Sequence, residues 1–455
     1  MKPYREDRYD AFRTLREAYP RISYDSFSPV DQGDILAVTY RFSLGGEIHF
    51  APSIELPRPS QGWHLPPSHP FVTRALFLLG MVELLSYWKL ACSPSVCVAA
   101  GSLDQWECRW WSHLWRHGMG EFLYRNGVPE DERDLVSFTP QASVSTAPSQ
   151  LFALRGNLIP VGGGKDSAVV LRLLESQRQN NHCLLVNPTP AAVAVVATAG
   201  YQGASAVCRR TLDPKLLQLN ATGAFLNGHT PFSALLAFTS VLIAGLWGSE
   251  FVLLANESSA NESTVPGSTV NHQYSKSLDF ENRFRQYVRR SLTPSIHYLS
   301  LLRSLNEVRI GQMFAATAGP LEDVFCSCNV GGRQGLWCGT CEKCLFSYLM
   351  LAPFLPRPRM VRIFGSDLLQ REDLLPGLER LVGLTPTKAF DCVGTVDEVR
   401  GVVRHLLLAS KEPMPLLRKL EEAHPRALAG APTLEALLAS RAESNLPASF
   451  GPLLE

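Results

Sequence analysis

The sequence predicts an α/β protein built on a mostly parallel sheet, and three observations carry that expectation. Short apolar runs at 158–161, 183–186, 206–210 and 251–255 alternate with helical stretches at 167–179, 191–199 and 232–247. Such alternation lays strands side by side in parallel with helices on both faces. The runs also end in glycine or polar residues: Gly162, Gly163 and Gly164 after the first, Asn187 after the second, Asp213 after the third, Asn256 and Glu257 after the fourth. Those are the strand ends where open α/β sheets hold ligands. Finally, 455 residues with 45% hydrophobic and 19% charged side chains suit a folded chain of two or three domains.

Taken in order, residues 1–130 read as an α+β domain of their own. Strand character at 35–42 and 47–50 flanks a Leu-Gly-Gly turn, a proline-rich connector covers 52–70, and helices are expected at 71–91 and 103–124. Trp106, Trp110, Trp111 and Trp115 recur on the second helix at a spacing suited to core packing. Residues 131–150, rich in Ser, Thr, Pro and Gln, read as a linker. The nucleotide-type domain follows at 151–325, a cysteine cluster at 326–355, a helical extension at 356–410 and a loosely attached tail at 411–455. The longest apolar stretch, 232–248, is near the lower limit for a membrane span and reads better as a buried helix.

Forty-three basic against forty-two acidic residues leave a net charge of +1, which gives no electrostatic footprint for nucleic acid. The N-terminus has no apolar signal core. Eleven cysteines, five of them within 326–344, favour a reducing compartment and a metal site over a disulfide framework. A cytoplasmic protein without membrane or nucleic-acid partners is expected.

The sharpest motif is Gly162-Gly163-Gly164-Lys165-Asp166-Ser167, set between a strand and a helix. Glycines admit a ligand close to the backbone, the helix start offers unpaired N–H groups, and Lys165 adds a full positive charge. A phosphate group is the expected occupant. Neither the Walker pattern nor G-x-G-x-x-G occurs here. The plain alternative is an ordinary glycine-rich turn.

Cysteines form the second motif. Cys338, Cys341 and Cys344 repeat at C-x-x-C spacing, and Cys326 and Cys328 compete for the fourth place around a tetrahedral ion. Cys328 is the expected choice. Four sulfur ligands leave no open position, so structural Zn²⁺ is expected. Asn256, Glu257, Asn261 and Glu262 suit Mg²⁺ or a polar substrate. His229 precedes a helix expected to be capped by Thr230 with Pro231 in its first turn, and His272 lies in the polar run 271–276 with Tyr274 and Lys276. Ser304 to Glu307 fits a capping box, and Arg303 and Arg309 beside it read as ordinary surface arginines.

Residues 162–167 resemble the PP-loop, S-G-G-x-D-S, of the ATP pyrophosphatase superfamily, with glycine in place of the first serine. The cysteines resemble the four-cysteine zinc site of 7-cyano-7-deazaguanine synthase, a PP-loop enzyme. Further runs narrow the likeness: NPTPAA (187–192), LNGHTPFSALLAF (226–238), ANESSANE (255–262), VNHQYSKS (270–277), WCGTCEKCLFSYLMLAPFL (337–355), AFDCVGT (389–395) and LGMVELLSYWKLACSP (79–94). Together they resemble the MurL-type UDP-N-acetyl-α-D-muramoyl-L-alanyl-L-glutamate epimerases over about residues 70 to 395.

That resemblance implies a sheet of the PP-loop, adenine nucleotide α-hydrolase-like, type. It implies epimerisation of the terminal L-glutamate of UDP-MurNAc-L-Ala-L-Glu, with ATP going to AMP and diphosphate through an acyl-adenylate. Gly162, Gly163, Gly164, Lys165 and Ser167 would hold the phosphates with Asn187 and Asn256, and Asp166 would position Mg²⁺. Only this resemblance implies that Arg303 and Arg309 contact pyrophosphate. Lys165, Asp166, His229, Glu257 and His272 are the catalytic candidates; Glu262, Tyr274 and Cys392 are further candidates for moving the α-proton. Two other readings are a PP-loop enzyme that modifies a nucleobase or tRNA, and a non-catalytic nucleotide-binding scaffold.

Overall fold

The computed structural model describes residues 5–132, 135–139, 151–409 and 412–455. Eleven strands form one sheet: β1 Arg21–Asp31, β2 Ile35–Leu44, β3 Ile48–Phe50, β4 Ser53–Pro57, β5 Ser95–Val98, β6 Ser137–Phe138, β7 Asn157–Pro160, β8 Asn181–Val186, β9 Ser205–Thr211, β10 Phe251–Leu254 and β11 His297–Ser300. Their order is β11-β10-β7-β8-β9-β4-β2-β1-β5-β6, with β3 on β2. The half from β11 to β9 is parallel throughout.

Neighbouring residues on these parallel strands feed two different cores. Leu158, Leu184, Val252 and Tyr298 face a core shared with helices Pro70–Glu83, Gln105–Gly118, Phe232–Trp247 and Leu278–Ser291. Ile159, Leu185, Leu253 and Leu299 face the other, shared with Lys165–Leu173, Glu307–Thr317, Glu342–Leu351 and Val396–Ala409. Each fully buried aliphatic side chain stabilises the fold by about 1.5–3 kcal/mol. A strand covered on both faces is therefore apolar at every position rather than at alternate ones.

The structure departs from the sequence expectations in several places. The N-terminal α+β region is not separate: β4 pairs antiparallel with β9, Ser53 opposite Thr211, and makes the sheet continuous. Helix Pro70–Glu83 packs so closely on Phe232–Trp247 that a Cβ on Gly245 would lie 2.2 Å from the Phe71 ring. The helix expected over 71–91 breaks after Glu83 and resumes as Leu85–Trp88. Trp110, Trp111 and Trp115 are buried, in line with core packing. Residues 133–134 and 140–150 of the expected linker lie outside the described residues, while Ser137–Phe138 joins the sheet beside β5.

The tail expected to be loose is packed where it is described: Leu416, Leu417 and Leu420 are fully buried, and the Asn306 side chain donates to the Leu437 carbonyl at 2.6 Å. The apolar faces of helices Pro415–Ala423 and Leu434–Ala439 cover the second core. Among the described residues one stretch, Pro70–Trp88, is long and apolar enough to cross a membrane, and it is 89% buried inside the fold.

This topology fixes where a site forms. The chain passes from β7 to β8 on one side and reaches β10 on the other, so the strand order reverses between β7 and β10. The carboxyl ends of those two strands splay their following loops apart and open a crevice.

Candidate active site

The loop after β7 is the glycine turn. Gly163 has φ +87, a conformation other residues resist, and a Cβ there would lie 2.5 Å from the Ala192 backbone nitrogen. Gly164 starts helix Lys165–Leu173 and has no side-chain cap. Its first-turn N–H groups remain available to an anion, reinforced by the helix dipole. A Cβ on Gly162 would meet nothing within 4 Å, because that residue faces the crevice. The crevice encloses about 280 Å³ between the glycine turn, Asn256 and Glu257 after β10, and Lys276, Lys343 and Cys392 from later segments.

Buried charge organises one wall. Lys165 is only 3% exposed and its ammonium is ion-paired with both Asp166 and Glu307. Asp166, Glu257 and Glu307 bring one oxygen each within 4.8 Å of the others. Burial pushes the Glu307 carboxyl up to about 7 against the pull of Lys165. Burial likewise raises Glu257. Burial also opposes charge on Asp166, but Lys165 and Lys343 outweigh it and hold that carboxyl below its ordinary range. Asp166 and Glu257 line the crevice beside the phosphate-suited turn and offer the hard oxygens that a divalent cation such as Mg²⁺ takes, while Glu307 is engaged by Lys165 behind them.

Titratable groups gather on the other side, where Lys276 and Cys392 line the crevice and His272 stands behind them. His272 Nδ1 lies 2.5 Å from Glu121 Oε2, and His272 Nε2 lies 4.0 Å from Cys392 Sγ. Lys276 donates to that sulfur at 3.2 Å. Burial disfavours the imidazolium, yet Cys392 and Glu121 raise His272 to about 10. Burial would raise the thiol, yet Lys276 and His272 bring Cys392 down to about 5. The His229 ring lies tilted against His272 with centroids 4.7 Å apart and Nδ1 3.4 Å from the same Glu121 oxygen; burial lowers it to about 4, so at neutral pH it is uncharged.

Beside the crevice, Cys328, Cys338, Cys341 and Cys344 converge, their sulfurs within 4.8 Å of one another. The closest pairs stand 3.5, 3.7 and 3.9 Å apart. Sulfurs about 2.3 Å from one tetrahedral ion stand about 3.8 Å apart, so the set has the right size for zinc. Cys326 is not in it. Its N–H instead donates to the Gly163 carbonyl at 2.9 Å, and Ser327 packs on Gly164. The cysteine cluster thus adjoins the segment that packs on the glycine turn.

Several expected site residues have other jobs. Asn187 (φ +47) exchanges two 2.7 Å hydrogen bonds with the Arg210 backbone, extends the β8–β9 pairing, and does not line the crevice. Asp213 caps helix Pro214–Ala221. Thr230 is not a cap; Pro231 occupies that position before Phe232–Trp247. Asn306, not Ser304, caps Glu307–Thr317, which frees Glu307 to meet Lys165. Arg303 is neither a surface arginine nor a phosphate ligand: fully buried, it binds Glu281 and the carbonyls of Glu257 and Lys276. Arg309 bonds Gln312. Glu262 is paired with Lys388, and Tyr274 bonds His113 and Asp279. The sequence reading missed Glu307, Lys343 and Glu121 as members of the crevice and its support. For Glu307 the signal was a carboxylate at the start of an otherwise apolar helix; for the other two no local pattern existed.

Family models match the chain as the MurL N-terminal domain over residues 13–301 and the MurL C-terminal domain over 324–434. The chain belongs to the MurL family. Curated relatives named UDP-N-acetyl-α-D-muramoyl-L-alanyl-L-glutamate epimerase include one from Micromonospora, 36% identical over 84% of this chain and 85% of the relative. A second, from Salinispora tropica, is 35% identical over 86% and 83%. A third, from Xanthomonas oryzae pv. oryzae, is 34% identical over 83% and 84%. Both MurL domains contribute to the crevice: the glycine turn, Asn256, Glu257 and Lys276 come from the first, Lys343 and Cys392 from the second.

Proposed function

We propose that this chain epimerises the terminal L-glutamyl residue of UDP-MurNAc-L-Ala-L-Glu to the D form, consuming ATP through an acyl-adenylate and releasing AMP and diphosphate. Similarity to relatives with that name supports the substrate and the outcome. One structural observation carries the chemistry: an anion-suited glycine turn and the Lys276–Cys392 pair line the same crevice, with His272 against the Cys392 sulfur.

The chemistry requires both. A free carboxylate resists loss of its α-proton, because the carbanion would form beside an existing negative charge. Adenylation removes that charge and leaves a carbonyl that delocalises the carbanion as an enolate. In this reading the 162–167 turn, a PP-loop with glycine in its first position, holds the phosphates through its N–H groups. Lys165 keeps the buried carboxylates Asp166 and Glu307 in place. Asp166 and Glu257 would hold Mg²⁺, which supplies charge neutralisation for the phosphates. Asn256 orients the substrate carboxylate. The four cysteines would hold a structural zinc that fixes the 326–344 segment against the turn.

Incubation with ATP, Mg²⁺ and UDP-MurNAc-L-Ala-L-Glu, followed by hydrolysis and chiral analysis of glutamate, tests this. Equal amounts of AMP and D-glutamyl product are expected. D-glutamyl product without AMP would remove the adenylation step; AMP without inversion would remove the epimerase.

A further inference from the structure

Seven cysteines lie outside the four-sulfur cluster, and one differs from the rest in its surroundings. Burial pushes the thiols of Cys92, Cys183 and Cys208 up, as for inert core cysteines. Cys392 instead has two cations against its sulfur: Lys276 Nζ at 3.2 Å and His272 Nε2 at 4.0 Å. Behind His272 stands buried Glu121, itself held by Arg125 at 2.9 Å. The loop carrying Cys392 is pinned by Lys343, which bonds the Cys392 carbonyl, and by Lys388, which donates to the Gly394 carbonyl at 2.9 Å. The sulfur therefore has a fixed position, and it opens onto the crevice that also holds the glycine turn.

We propose that the Cys392 thiolate takes the α-proton of the glutamyl residue, with His272 and Lys276 as positioning residues that keep the sulfur ionised and aimed. This rests on the adenylation reading above. In the step, the Cα–H bond breaks and an S–H bond forms, and the C–H electron pair moves to the carbonyl oxygen of the acyl-adenylate as an enolate. A water molecule returns a proton to the opposite face of Cα, and the hydroxide so formed takes the proton from the thiol, restoring the thiolate. A second water then cleaves the acyl–phosphate bond and releases AMP and the D-glutamyl carboxylate. The thiolate is ionised throughout the neutral range and needs no prior deprotonation. His272, held as imidazolium by Cys392 and Glu121, has no free lone pair with which to take the α-proton. Neutral His229 contacts the same glutamate but lies one ring further back.

Two measurements separate this step from adenylation. Wild-type protein should show diphosphate–ATP exchange that depends on UDP-MurNAc-L-Ala-L-Glu, and should take up deuterium at the glutamyl α-carbon in deuterated water. Cys392→Ala should retain the exchange and lose deuterium uptake by about 100-fold or more. Deuterium uptake at the wild-type rate in Cys392→Ala would overturn the proposal, as would loss of exchange in a variant that remains folded. Recovery of the acid-quenched wild-type chain with the peptidyl substrate bonded to Cys392 would also overturn it, because the sulfur would then be a nucleophile. Absence of exchange in the wild type would instead defeat the adenylation reading, and this proposal with it. A measurement on the unsubstituted cysteine covers any folding failure of that variant: iodoacetamide labelling of Cys392, followed by peptide mass spectrometry. Its midpoint should fall near pH 5 and rise in Lys276→Met; a wild-type midpoint above pH 8 would refute the ionised thiolate.

Discussion

Removing the ammonium of Lys165 is the perturbation whose size the structure defines best. Lys165 and Glu307 are 3% and 1% exposed, and the lysine is paired with Asp166 as well. In Lys165→Met, two carboxylates lose their counter-charge where water cannot replace it. Breaking a buried pair by deleting one partner costs about 3–5 kcal/mol. The pH dependence follows from the signs. Lys165 has its pKa raised by its partners, so its contribution is complete throughout the neutral range. Glu307 has its pKa raised to about 7, so below that pH it can take a proton and escape the penalty. Above it, the penalty grows by up to about 1.4 kcal/mol per pH unit.

Urea unfolding at pH 6 and pH 8 should therefore show the larger loss at pH 8. Adding Glu307→Gln to Lys165→Met should recover about 1–3 kcal/mol of that loss, the coupling expected of contacting groups. A loss under about 1 kcal/mol at pH 8, or single effects that simply add in the double variant, would refute the buried-charge argument.

Three further outcomes are expected. Gly163→Ala should lower stability by about 2 kcal/mol or more, from φ +87 and the backbone contact at 2.5 Å, while Gly162→Ala should cost under about 0.5 kcal/mol; chemical denaturation compares them. Elemental analysis should find one zinc per chain in the wild type and in Cys326→Ser, and lose it in Cys328→Ser or Cys338→Ser. Glu121→Gln should destabilise the fold by about 1–3 kcal/mol at pH 6. The raised His272 pKa means that this contribution is complete below about pH 6.5 and lost as the pH passes about 10, so the difference from wild type in urea melts should shrink toward that pH.

What the sequence revealed and what it hid follow from contact range. The glycine turn, the parallel strands and the C-x-x-C spacing are local patterns, and each formed where the residues implied. Cys328 rather than Cys326 completes the sulfur set, while the Cys326 backbone N–H bonds the Gly163 carbonyl and Cys326 lines the crevice. Groups that complete the crevice arrive from far along the chain: Glu307 lies 142 residues from Lys165, Glu121 lies 151 from His272, and Cys392 lies 120 from His272. No periodicity links such pairs.

Asn187 and Asp213 stand at strand ends as ligand-binding residues would, yet short polar side chains there also bond nearby backbone, and that is what both do. The β4–β9 pairing erased the boundary expected near residue 150, because antiparallel pairing between distant edge strands leaves no mark on either strand.

The most direct test of the proposed epimerisation counts two products of one turnover. The purified chain is mixed with ATP, Mg²⁺ and UDP-MurNAc-L-Ala-L-Glu in deuterated water, and AMP and α-deuterated D-glutamyl product are quantified together. The expected result is one AMP and one α-deuterium for each inverted residue. Inversion that retains the α-hydrogen, or AMP formed without any deuterium at the α-carbon, would contradict it.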